Sequence, residues 1–202
     1  MTMVFQVAIG QFTFTKEDKE RINPLIQKGV VINNDEHKGI SWIKSKEIPI
    51  DIDKDITMSI YFGVMKKDGK IVVTPMRLVN DLNLSSWLFF DEVSILLGTR
   101  KDRVAGTVKR YLYKAEDPYR DARRGGVKEK SDDVASTEIM EFIRFMANTP
   151  KAFHIRYNGD KEYHEEFYGI FFKKFKKSFT PVLETYDALN REFGNTERLA
   201  VN

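Results

Sequence analysis

The chain contains no cysteine. Disulfides and thiolate metal sites are therefore excluded, and packing and hydrogen bonding must hold the fold. No apolar run approaches the ~20 residues that a membrane helix needs, so no membrane partner is expected. The opening Met1-Thr2-Met3-Val4-Phe5 lacks the basic and apolar blocks of a signal peptide, which makes the cytoplasm the expected location. The phosphate-binding glycine loop, the dinucleotide fingerprint and the serine nucleophile elbow are all missing. With no catalytic signature, the expectation is a non-enzymatic protein that uses no cofactor.

What is present is an ordinary globular composition. Of 202 residues, 42% are hydrophobic and 12% aromatic, with Phe unusually frequent at 15. That is enough apolar surface for one well-buried core or two small ones. Net charge is only +3, yet Trp87–Lys130 alone holds eleven of the 33 Lys and Arg residues. The positive field is concentrated in one segment.

Hydrophobic periodicity divides the chain into two parts. Val4–Phe14 alternates like a strand. Thr15 reads as an N-cap before acids, with Pro24 ending a short helix. Val30–Asn33 and Ile40–Ile43 read as short strands. Ile56–Met65 and Ile71–Thr74 flank Asp68-Gly69, a hairpin signal, because both turn positions need positive φ. From Ser85 the spacing reads as helical: one helix to Leu97 with Gly98 after it, and a second over Lys101–Lys114. Asp117–Asp133 has no apolar period and reads as a long polar loop. A third helix is expected from Ser131 or Asp132 to about Ala147. Phe153–Tyr157 followed by Asn158-Gly159 suggests another hairpin. Phe167, Phe171, Phe175 and Phe179 recur every four residues, and Thr180-Pro181 reads as the cap and first residue of a last helix ending at Gly194. The expected fold is α+β, with a β-rich region over residues 1–83 and a mainly helical region over 84–202, separate or continuous.

Within the basic segment, Val93 and Leu97 are spaced as apolar anchors on a first helix. Ser94 is the small residue beside them, Gly98 the turn and Val104 a later anchor. This spacing resembles the helix-turn-helix pattern of DNA-binding proteins, with Val108 apolar where the pattern usually has its residue at Thr107. The resemblance covers about 20 residues and implies a second helix entering the major groove. On that helix Val104, Val108, Tyr111 and Leu112 form one stripe, and Arg103, Thr107, Arg110 and Lys114 an adjacent one. The expected nucleic-acid-binding residues are therefore Arg100, Lys101, Arg103, Thr107, Arg110 and Lys114, extended by Arg120, Arg123 and Arg124 in the loop. Phosphate neutralisation by such a row releases counterions and makes binding salt-sensitive.

Other groupings are read mainly as structural. The Phe171–Phe179 stretch interleaves Phe and Lys and reads as a core stripe with solvated lysines, or as a surface for a membrane or a single strand. Asp51, Asp53 and Asp55 alternate along one strand face. His154, Asp160, His164, Glu165 and Glu166 lie close in sequence but lack a metal-ligand spacing, so no metal is expected. The leading expectation is binding of nucleic acid, DNA before RNA. For a single-stranded target, Tyr61–Phe62 and Phe153–Tyr157 are the aromatic platforms. The alternative is a protein-interaction or assembly component, such as a phage-type structural or host-inhibitory protein, with a homo-oligomer as one form.

Overall fold

The computed structural model describes residues 14–50, 56–97, 110–149, 153–160, 163–168 and 172–194. The chain divides into two units, each assembled from separated stretches. The first comprises Met1–Lys46, Ile60–Met76 and Pro181–Asn202, the second Glu47–Ser59 and Arg77–Thr180.

The first unit opens with helix α1, Lys16–Ile22. The Thr15 hydroxyl accepts the Asp18 N–H, and the Asp18 carboxylate accepts the Thr15 N–H, closing a reciprocal capping box. Lys66 Nζ lies 2.6 Å from the same carboxylate. Bonding to Lys66 holds the Asp18 carboxyl below the ordinary range, against some desolvation. Pro24 falls in the short 3-10 turn Asn23–Leu25 that follows. Strands β1 (Val31–Asp35) and β2 (Ile40–Lys44) pair antiparallel, and β2 pairs with β4 (Ile56–Lys67), whose residues from Ile60 belong to this unit. The Asp-Gly turn forms as expected: Asp68 and Gly69 have φ of 50° and 76° and join β4 to β5 (Lys70–Val73). Phe62 is fully buried and meets Tyr186 edge-on at 5.1 Å.

The second unit contains two sheets. Strand β3 (Ile48–Pro49) pairs with the start of β4. Strand β10 (Gly126–Val134) lies between β6 (Arg77–Leu84) and β9 (Tyr119–Arg123). The other sheet has the order β12-β11-β7-β8, with β7 Glu92–Leu97, β8 Arg110–Lys114, β11 Phe153–Asn158 and β12 Tyr163–Tyr168. Helix α2 (Thr137–Asn148), capped by Ser136, sets Phe142 and Phe145 against Tyr113 and Tyr111 of β8. Between the sheets, buried Asn80 donates to Tyr113 and Ser131 and accepts from Tyr157. Beside them, Asp133 is buried with one oxygen bonded to the Glu116 N–H and the other, Oδ2, without a partner. Desolvation raises the Asp133 pKa above the ordinary carboxylate range, and burial does the same for the Tyr113 hydroxyl.

The expected α+β order, β-rich then α-rich, is overturned. Six strands, β7 to β12, fall between residues 92 and 168, and the protein is sheet-dominated with three α-helices among the described residues. The expected first helix of the helix-turn-helix is strand β7, and the end of its second helix is strand β8. In a strand Tyr111 and Leu112 point to opposite faces rather than sharing a stripe: Tyr111 stacks on Phe145, whereas Leu112 is 41% exposed. Short apolar runs such as Val93–Leu97 fit a buried strand as readily as a helix. The expected polar loop is the β9–β10 hairpin. Its inward positions Glu129, Ser131 and Asp133 are polar, so no apolar alternation marked it. Ser131 and Asp132 therefore lie in β10, and Ser136 opens the helix. Phe167 belongs to β12, while α3 runs unbroken from Phe172 to Phe193 with Pro181 inside it rather than at its start. Phe175, Phe179, Val182, Leu183 and Leu189 are buried along it, and this packing outweighs the proline penalty. Val4–Gln11, Asp51, Asp53, Asp55, Gly98, Val104 and Phe171 lie outside the described residues.

Candidate nucleic-acid interface

The cations of the basic segment do not form one helical row. Arg100, Lys101, Arg103 and Thr107 lie outside the described residues. Arg110 opens β8 and Lys114 closes it, the latter exposed. The hairpin cations are largely matched to acids. Arg123 faces Asp121 at 3.5 Å and Lys128 meets Asp81 at 2.5 Å, while Arg77 of β6 reaches Asp132 of the hairpin at 2.7 Å. Arg124 is exposed in the turn beside Gly125, with no ion pair among the described residues. A depression lined by Glu116, Asp117, Tyr119, Lys128, Lys130 and Asp132 mixes both signs and focuses neither.

Arg120 is the exception in kind. The β9–β10 register sets it opposite Glu129, whose side chain is fully buried. The Glu129 carboxylate accepts three successive backbone N–H groups: Leu88 at 2.6 Å, Phe89 at 2.8 Å and Phe90 at 3.0 Å. Arg120 bridges from this carboxylate, 3.6 Å away, to the Phe90 carbonyl at 3.2 Å. A Cβ at Gly159 would overlap the Leu88 carbonyl oxygen, so glycine there lets the end of β11 close on the same loop. Asp91 N–H donates to the Asn158 carbonyl at 3.0 Å and ties the loop's far end to that strand. The loop so held carries the exposed Phe89 ring and the half-buried Trp87 ring. Trp87 and Phe89 stack at 5.5 Å with 26° between planes, and the Arg120 guanidinium lies 5.5 Å from the Phe89 ring. Phe89 is 43% exposed and has φ of 53°, a left-handed conformation that a bulky side chain rarely adopts. Sequence reading placed Arg120 among the binding residues but missed the loop, because Trp87-Leu88-Phe89-Phe90 reads as the interior of a helix.

A second group of cations stands on α3. Lys173, Lys174, Lys176 and Lys177 are all exposed, while Phe175 and Phe179 between and beyond them are fully buried. The first turn of the helix carries no acid. Lys173, Lys176 and Lys177 make no ion pair among the described residues, unlike most cations of the β9–β10 hairpin. The buried phenylalanines cannot enter a membrane or stack on a base, which corrects that part of the expectation.

Of the two other expected platforms, Phe62, Phe153 and Tyr157 are fully buried and cannot stack on a base, while Tyr61 is half-buried. Among the described residues no group of three or more His, Asp or Glu is placed to hold a metal ion, and no helix is long and apolar enough to cross a membrane. No family model, curated protein or solved structure matches the chain.

Proposed function

We propose that the protein binds nucleic acid, and that the α3 lysines supply the main phosphate contact. The observation that carries this reading is the contrast in pairing. Arg120, Arg123 and Lys128 of the β9–β10 hairpin meet acids of the same unit, while Lys173, Lys176 and Lys177 are exposed with no ion pair among the described residues. Positive charge at a helix N-terminal end also opposes the macrodipole, a small cost. An external polyanion would offset it, releasing a counterion for each phosphate neutralised. The Trp87 and Phe89 rings of the loop favour a single strand over a duplex, and the expected first helix of the groove-reading pair is strand β7.

The test is anisotropy titration of labelled single-stranded and duplex oligonucleotides at two salt concentrations. Parent binding should weaken steeply with salt. The triple variant K173E/K176E/K177E should lose at least about tenfold in affinity and flatten the salt slope by up to about 2, at roughly 0.7 per phosphate. Acids at these positions suit the helix dipole, so the variant should stay folded. Unchanged affinity in a folded triple variant would sink the reading.

A further inference from the structure

We infer that Trp87 and Phe89 form a stacking site for an unpaired nucleobase, braced by the Arg120 guanidinium against the Phe89 ring. The inference rests on the nucleic-acid reading but uses different residues. Its first support is the strain at Phe89. Holding a bulky residue at φ 53° needs surroundings that over-determine it. Those surroundings are the Glu129 carboxylate on three consecutive N–H groups and the glycine approach at Gly159. All this order is spent on presenting a partly exposed ring rather than burying it.

The second support is the chemistry of the shelf. Two nearly parallel rings offer a flat π face, which stacks on any base without regard to sequence. The flanking guanidinium, itself tied to Glu129 and the Phe90 carbonyl, adds a cation–π contact that fixes the Phe89 ring. Strand β9 beside it reads Tyr-Arg-Asp-Ala-Arg, so the shelf lacks the broad apolar surround of a protein-interface core. In a continuous duplex the bases are already stacked on one another, which restricts this site to single strands, loops or ends.

Trp42→Phe leaves Trp87 as the only tryptophan, and its emission then reports on the shelf. In that background, an oligothymidylate and a hairpin duplex are titrated at matched salt, with Phe89→Gly as the test variant. Glycine removes the ring and suits positive φ, so the loop keeps its path. The expected result is quenching of Trp87 by the single strand and not by the duplex, and a loss of single-strand affinity in Phe89→Gly on the order of tenfold, with duplex affinity unchanged. Equal single-strand affinity in the parent and Phe89→Gly, or quenching by the duplex to the same degree, would overturn the inference. The two readings fail separately. If only the α3 assignment is wrong, K173E/K176E/K177E binds normally while Phe89→Gly still loses single-strand affinity. If only the shelf is wrong, the converse holds. No binding of either nucleic acid overturns both, and leaves the shelf to a protein partner.

Discussion

Glu129 accepts three backbone N–H groups while fully buried, and Arg120 is its cationic partner. Glu129→Gln keeps the shape but turns an amide group toward those donors and leaves the guanidinium without its counter-charge. The expected cost is about 3 kcal/mol, read as a lower urea midpoint at unchanged m-value, with faster amide exchange at Leu88–Phe90. Asp133 behaves in the opposite sense. Its folded-state pKa is raised above the unfolded 3.8, chiefly by desolvation, so the folded state holds the proton more tightly. The resulting stability is present in full below the unfolded value and is lost as pH rises through the folded value. Asp133→Asn removes that loss. Its melting temperature should therefore gain on the parent's between pH 3 and neutrality; a parallel pair of profiles would contradict the assignment. Neither residue could be picked out in advance, since both sit in a stretch with no apolar pattern, and burial of a carboxylate is a property of what lies opposite it.

At the scale of the element, local chemistry decides some structures and packing others. The β4–β5 turn is local. Gly69 has φ of 76° and a Cβ there would meet nothing, so Gly69→Ala isolates the cost of left-handed backbone. We expect a loss of about 1 kcal/mol in chemical denaturation with the hairpin still formed. The Thr15 cap is local too, because Thr15 and Asp18 satisfy each other within one turn. Helix α3 is the contrary case. Pro181 and Thr180 carry the local signature of a helix start, yet the buried run from Phe175 to Leu189 carries the helix through them. Thr180 Oγ1 is left buried without a partner as one consequence. Strand β7 shows the same priority: its apolar run was ambiguous until β11 and β8 paired on either side of it.

For the molecule as a whole, the polar interior of the second unit is as specific as its apolar core. Asn80 ties β6 to Tyr113 of β8, Ser131 of β10 and Tyr157 of β11. Asn80→Leu removes all three bonds and takes one partner from buried hydroxyls of both sheets. The expected loss is about 3 kcal/mol, at roughly 1 kcal/mol per bond, and a calorimetric melt unchanged within error would show the network to be dispensable. Charge at this scale is sorted by pairing. Arg77, Arg120, Arg123 and Lys128 meet acids, whereas Lys173, Lys176 and Lys177 of α3 make no ion pair among the described residues.

The sequence by itself determined the features whose cause lies within a few residues: the Asp68-Gly69 turn, the Thr15 cap of α1, the absence of any disulfide, and the excess of cations over residues 87–130. Only the tertiary structure decided that residues 92–97 and 110–114 are strands, that Glu129, Ser131 and Asp133 face inward, and that Arg120 is drawn to a buried carboxylate beside the Trp87 and Phe89 rings. The physical reason is the range of the forces. A turn or cap closes its own hydrogen bonds, whereas a strand's bonds, a buried carboxylate's donors and a cation's partner are supplied by segments tens of residues away.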